Sequence, residues 1–263
     1  MTSSRSSGSC TRSGHLQVQV RLYGQLSDLS NERELSVPVG APRSVKDLVE
    51  SVGVPHPEIA LLVVDDVPVG FDHRVTGGER VAAYPPFASL DLDGVTTVWP
   101  APIAPRFVLD VHFGTLTRRL RVLGFDSWYR SDATDADLVD VAVAERRILL
   151  TRDRELLMRR VIVHGYCPRS DDPDEQLAEV ARRYDLADRI APLTRCARCN
   201  GALEAVEPWS VRDEVPPRTR LAFRTFARCT DCQRVYWRGA HHGALLRIIR
   251  RVSAEAGDAA EMS

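Results

Sequence analysis

The chain has 263 residues, with 35 Lys plus Arg against 36 Asp plus Glu and 44% hydrophobic content. That is an ordinary globular composition, with room for two or three small cores. Its longest apolar run, Ile59 to Val64, is far too short to span a bilayer, and Lys46, the only lysine, belongs to no GxxxxGK[ST] phosphate loop. There is no Gly-x-Ser-x-Gly elbow either, so ATP hydrolysis and serine hydrolysis are poor candidates. The near-zero net charge hides an asymmetry: residues 195–250 carry eleven Arg against five acids, an excess that suits an anionic partner such as a phosphate backbone, or a solvated basic face that keeps a small module soluble.

Residues 1–14 are rich in Ser, Gly and Arg and lack an apolar core, which reads as a disordered leader and not a secretory signal. The chain is therefore expected in the cytoplasm, where paired cysteines suggest metal before disulfide. Residues 15–87 open with Leu16 to Leu22, alternating with period two, followed by a second strand at Leu35–Val39 in which Pro38 suits a sheet edge. Ser44 caps a helix carrying Val45, Leu48 and Val49, and Ile59 to Val64 and Glu79 to Tyr84 are further strands. Two strands, a helix and more strands describe an α+β ubiquitin-like β-grasp. It resembles the sulfur-carrier branch of that fold, but Tyr84-Pro85-Pro86-Phe87 continues where a carrier would end in free Gly-Gly. The module is thus expected to dock a protein partner or to brace the rest of the chain. Residues 88–105 form a Pro-rich, extended linker.

Residues 106–190 alternate strand and helix, which implies a parallel sheet wrapped by helices. Strands are predicted at Arg106–Asp110, Phe125–Tyr129, Arg147–Thr151 and Val161–His164. Helices are predicted around Leu116, Leu120 and Leu123, then from Thr134, then from Asp172-Pro173. In such sheets ligands collect beyond the carboxyl ends of the strands. Asp110 ends the first strand, Asp153 stands just beyond the third, and Asp135 and Asp137 start the intervening helix, with Asp132 before it. Carboxylates gathered there would suit Mg²⁺ or Mn²⁺, which can activate a water against a phosphodiester. Each has an ordinary alternative role: Asp135 and Asp137 would favour the helix dipole, and Asp153 could cap the next helix. Arg118, Arg119 and Arg121 fall opposite the leucine face and are expected to be exposed, placed to clamp phosphates or simply to keep a surface helix soluble.

Residues 191–242 hold Cys196-Ala-Arg-Cys199 and Cys229-Thr-Asp-Cys232. Two CxxC knuckles can complete a tetrahedral zinc site, and four thiolates leave no open position for catalysis. Asn200-Gly201 supplies the tight turn after the first knuckle. Cys10 and Cys167 lack partner spacing and read as a leader residue and a buried small residue. Arg228, Arg234 and Arg238 alternate with Phe226, Tyr236 and Trp237, a pattern that suits single-stranded nucleic acid or simply the ribbon's small core. His241-His242 is given no ligand role. Residues 243–263 are read as a short amphipathic helix and a frayed tail.

The run Leu109-Asp-Val-His-Phe-Gly-Thr-Leu-Thr-Arg-Arg-Leu-Arg-Val-Leu-Gly-Phe-Asp126, the segment Arg147-Ile-Leu-Leu-Thr-Arg-Asp-Arg154, the two knuckles and Tyr236-Trp-Arg-Gly-Ala-His241 together resemble the Mut-seven C-terminal RNase domain family. The resemblance covers nearly the whole chain from residue 15. It implies a PIN-like nuclease joined to a zinc ribbon, with a ubiquitin-like domain in front. It also implies an RNase whose acidic cluster maps onto Asp110, Asp153 and Asp135 or Asp137, with Glu145 or Asp132 as a further acid. Arg118, Arg119, Arg121, Arg152, Arg234, Trp237 and Arg238 are then expected to hold RNA. The alternative is a non-catalytic RNA-binding or adaptor protein.

Overall fold

The computed structural model describes residues 16–86, 95–101, 103–239, 243–247 and 249–250. The expected leader with Cys10, most of the start of the linker, His241-His242 and the end of the tail lie outside them.

The first sheet follows from its alternation. In β1 (Leu16–Leu22), Val18, Val20 and Leu22 turn inward while their neighbours face solvent. It pairs antiparallel with β2 (Glu34–Val39), an edge strand that tolerates Pro38. Beyond a two-stranded ribbon of β3 (Arg43–Ser44) and β6 (Arg74–Val75), the main sheet holds β4 (Leu61–Val64), β5 (Val67–Val69) and β7 (Arg80–Tyr84), in the order β2-β1-β7-β4-β5. The central β1–β7 pair is parallel. A short α1 (Ser27–Ser30) precedes β2, and α2 (Val45–Ser51) starts where the Ser44 hydroxyl accepts from the Asp47 amide. The α2 residues Val45, Leu48 and Val49 are fully buried, as the β-grasp reading requires.

The central sheet is parallel throughout: β8 (Phe107–Leu109), β9 (Ser127–Trp128), β10 (Ile148–Leu150) and β11 (Gly165–Tyr166), in the order β11-β10-β8-β9. The chain winds from β8 through α3 (Gly114–Val122) to β9, then crosses by α4 (Asp135–Ala144) to β10 on the other side. The strand order therefore reverses between β8 and β10, which opens a crevice at their carboxyl ends. Beyond β10 follow α5 (Arg154–Leu157), β11 and α6 (Pro173–Arg183), the last capped by Asp172 with Pro173 at its first position.

Alternate strand residues feed two cores. Phe107, Leu109, Ile148 and Leu150 pack with α3 and α6, and also with Leu245 and Ile249 of the helical residues 243–247 and 249–250. Val108 and Leu149 point the other way, to α4, α5 and Ile162, and this core is continuous with that of the ubiquitin-like sheet. Polar groups lock the same junction. His56 Nε2 meets the Ile162 carbonyl at 2.8 Å, and Arg183 donates to the Pro57 carbonyl at 2.9 Å. The buried Glu58 accepts from the Cys167 amide at 2.8 Å and from Arg169. In the linker, the Val98 amide bonds the Ala60 carbonyl, and the Arg183 guanidinium lies 4.5 Å from the centre of the Trp99 ring.

The expected strand at Val161–His164 is not one. Strand pairing begins at Gly165, and Val161 and Val163 are exposed, because only Ile162 is drawn into the core beneath α5. The third sheet is antiparallel, β12 (Leu203–Val206), β13 (Phe226–Cys229) and β14 (Val235–Trp237), with α7 (Pro217–Ala222) inserted between β12 and β13.

Candidate active site and metal centre

Asp110 closes β8 and sits at the crevice, only 6% exposed. Its Oδ2 accepts from the Thr151 hydroxyl at 2.6 Å and the Arg152 amide at 3.3 Å. Its Oδ1 accepts from the His112 amide at 2.8 Å and faces His112 Nδ1 at 3.1 Å. Thr151 Oγ1 in turn accepts from the Asp153 amide at 3.0 Å, while Asp153 Oδ1 caps α5 through the Leu156 amide at 3.0 Å. One hydroxyl thus joins the two aspartates at the switch point. Thr151 and His112 were not singled out by sequence reasoning, since nothing in their spacing announces a contact with Asp110.

The other expected acids are less gathered. Asp135, exposed in the first turn of α4, lies 4.0 Å from Arg159. Asp137 completes a capping box with Thr134, whose amide and hydroxyl hold its carboxyl below the usual range. Asp132 is engaged by Arg130. Glu145 lies at the opposite end of the sheet with Arg106 and Arg147, so it is no part of this edge. Among the described residues, no three carboxylates approach one another as closely as the four cysteines do.

Of the α3 arginines, Arg118 is exposed and Arg119 pairs with Asp174 at 2.7 Å. Arg152 is exposed and pairs with Asp171 at 2.6 Å. Arg121 overturns the expectation of exposure: it is 5% exposed. Its Nε and Nη2 donate to the Ser127 carbonyl at 2.9 and 2.7 Å, and Nη1 donates to the Arg198 carbonyl at 2.9 Å. The reason is that α3 is covered on this side by the first cysteine knuckle. Arg121 is a brace between domains and cannot reach a phosphate.

Among the described residues the four cysteines form a metal-ready group, their Sγ atoms all within 4.8 Å of one another. Cys199–Cys229 and Cys196–Cys232 are separated by 3.4 and 3.5 Å. A tetrahedron with Zn–S bonds of roughly 2.3 Å has edges of about 3.8 Å, so the spacing fits zinc. The two knuckles repeat each other. The Cys199 amide points at Cys196 Sγ and the Cys232 amide at Cys229 Sγ, and Asn200 and Gln233 take left-handed φ of 70° and 61°. Gly201 is needed because a Cβ there would meet Asp231 at 2.4 Å and Cys229 Sγ at 3.0 Å. Burial opposes charge on Cys196, but hydrogen bonds from the Tyr236 hydroxyl and from knuckle amides outweigh it and hold the thiol down to about 6. Trp237 packs on Phe226 in the ribbon's small core, while Arg234 and Arg238 are exposed.

The first knuckle is bound to β9 by its own side chain. Asn200 Oδ1 accepts from the Ser127 amide at 3.0 Å, and Nδ2 donates to Asp126 at 2.8 Å. Burial opposes charge on Asp126, yet hydrogen bonds from Arg147 and Asn200 outweigh it and hold its carboxyl down to about 2.

A ubiquitin-like sheet, a parallel α/β domain with aspartates at its switch point and a four-cysteine ribbon make this a three-part α/β protein. Family comparison agrees: the Mut7-C RNAse domain model matches residues 105–249, more than half of the chain, and the Mut7-C ubiquitin model matches residues 15–91. The chain belongs to the Mut7-C RNAse domain family. No curated protein matches it.

Proposed function

We propose that the chain is a cytoplasmic ribonuclease that hydrolyses RNA phosphodiesters at the crevice between β8 and β10. The observation that carries this reading is the Asp110–Thr151–Asp153 linkage at the switch point of a domain belonging to an RNase family. The Thr151 hydroxyl holds the Asp110 carboxylate and the Asp153 amide, and the Leu156 amide holds the Asp153 carboxylate, so both carboxylates need little reorganisation when a phosphate arrives. Asp135 stands ready at the start of α4, and Arg118, in no ion pair among the described residues, would receive the substrate's backbone charge. Asp137 is spent on its capping box and serves position more than chemistry.

A divalent cation fits this edge in one manner. Mg²⁺ needs only one or two carboxylates and keeps several waters, and it would supply an activated water and charge stabilisation at the phosphate. Asp110 has all four of its acceptor positions facing protein donors, and only the His112 ring is an exposed side chain, so that is the position a cation can claim. Asp153 commits one oxygen to the cap. Zinc, held by Cys196, Cys199, Cys229 and Cys232, would fold the ribbon and leave no coordination site for substrate.

The test is cleavage of labelled RNA with Mn²⁺. Asp110→Asn or Asp153→Asn should lower cleavage by about a hundredfold or more while RNA binding persists. Asn is itself a good helix cap, so Asp153→Asn should remain folded. Full residual cleavage in both variants overturns the reading. A second reading, an RNA-binding adaptor without cleavage, is favoured by the saturated Asp110 and the absence of three converging carboxylates among the described residues. It predicts RNA binding and no cleavage with any divalent cation.

A further inference from the structure

Residues 207–225, between β12 and β13, are built on the ribbon and yet turn Trp209 and Leu221 outward. Val211 and Val215 are buried and Phe223 is half-buried against Phe226 and Trp237, so the insertion is anchored. Trp209 is nevertheless 73% exposed and Leu221 80% exposed, the two highest values among the large hydrophobics described. Exposure of an indole on an anchored segment marks a contact surface and not a loose end.

The charges say what it contacts. Arg212 pairs with Asp213, and Arg228 pairs with Glu214 through two hydrogen bonds, which uses two of the insertion's three acids and leaves Glu207 at its start. Arg218, Arg220 and Arg224 form no ion pair among the described residues, and neither do Arg234 and Arg238 at either end of β14. Unneutralised guanidinium groups in the same anchored insertion as an exposed indole match a chain that offers phosphates and flat π-faces together. An indole stacks on a base only if the base is unpaired.

We propose that this insertion is a binding surface for single-stranded RNA, with Trp209 stacking on a base and Arg218, Arg220 and Arg224 holding the flanking phosphates. The proposal rests on the ribonuclease reading for its choice of nucleic acid, but not on any catalytic residue. It also moves the stacking role from Trp237, which is half-buried against Phe226, to Trp209.

The experiment uses the full-length zinc-loaded chain and a short fluorescein-labelled oligouridine, read by anisotropy without added Mg²⁺ or Mn²⁺. Trp209→Ala should weaken binding about tenfold, and Trp209→Phe should restore most of it. Replacing Arg218, Arg220 and Arg224 together by Ala should reduce the slope of log affinity against log salt by about 2. Duplex RNA should bind more weakly and ignore Trp209. Unchanged oligouridine binding by Trp209→Ala overturns the proposal, as does binding of an acidic polypeptide in place of RNA. Asp110→Asn should lower cleavage by about a hundredfold or more without touching this binding, whereas Trp209→Ala should raise the RNA concentration needed for half-maximal cleavage. The two readings therefore fail separately.

Discussion

Glu58, which has no solvent exposure, holds Arg169 with both carboxylate oxygens, at 2.8 and 3.1 Å, across the junction between the ubiquitin-like and nuclease sheets. Breaking a buried pair leaves its partner uncompensated. Glu58→Ala should therefore cost about 3–5 kcal/mol in urea unfolding. Because the two sheets share one core, that loss should appear in a single transition covering both. Two separated transitions, with the nuclease one unmoved, would show that the junction is weaker than its contacts.

Asp126 links acid sensitivity to the ribbon. Its carboxyl lies at about 2 against an ordinary 3.8, so its contribution is complete above about pH 4 and fades as the pH falls through 2. The size is about 2 kcal/mol. Asp126→Asn should lower stability at pH 7, and the gap between wild type and variant should close as the pH is lowered from 5 to 2. A gap constant with pH would sink this account.

Arg121 should be irreplaceable for stability and dispensable for RNA contact. Arg121→Ala leaves the Ser127 and Arg198 carbonyls without their donor and should cost about 3 kcal/mol. Chemical denaturation checks the first expectation. Oligouridine affinity, unchanged under conditions where the variant is folded, checks the second.

Metal content gives a fourth expectation. Purified chain should carry one zinc, and Cys229→Ser or prolonged chelation should remove it and lower Tm by roughly 5 °C or more. His112→Ala should leave zinc untouched and tighten Mn²⁺ binding at Asp110, measured by titration calorimetry, since it clears the one exposed donor from that carboxylate. Weaker Mn²⁺ binding would assign His112 to the cation's own shell.

Much of this was legible in the sequence because local chemistry decides it. Period-two alternation placed β1, the Ser44 and Asp172 caps placed their helices, and two CxxC spacings placed four sulfurs together. Asp110 and Asp153 were legible as strand-end acids, but the Thr151 hydroxyl between them was not. What failed depends on contacts between distant segments. Arg121 looked exposed because α3 was judged by its own leucines, whereas its cover comes from Ala197 and Arg198 in another domain. Val161–His164 had strand composition, yet β11 forms two residues on from Val163, where Gly165 lets Leu157 and the Leu149 carbonyl come close. Trp237 stands out in the sequence through the arginines that alternate with it, whereas Trp209 carries no such signal. Packing against Phe226 tells them apart.

The bonds made by Ser127 and Cys167 have a consequence for how the chain behaves in company. Both belong to the outer margins of a four-stranded sheet whose strands are only two or three residues long. At one margin Asn200 and Arg121 occupy the amide and carbonyl of Ser127; at the other Glu58 occupies the amide of Cys167. A margin with its polar groups taken offers no template to a neighbouring strand. Cut loose from its flanking modules, the middle domain would present both margins bare and invite self-association. The ubiquitin-like module and the ribbon are thus also what keeps the sheet between them from joining another copy of itself.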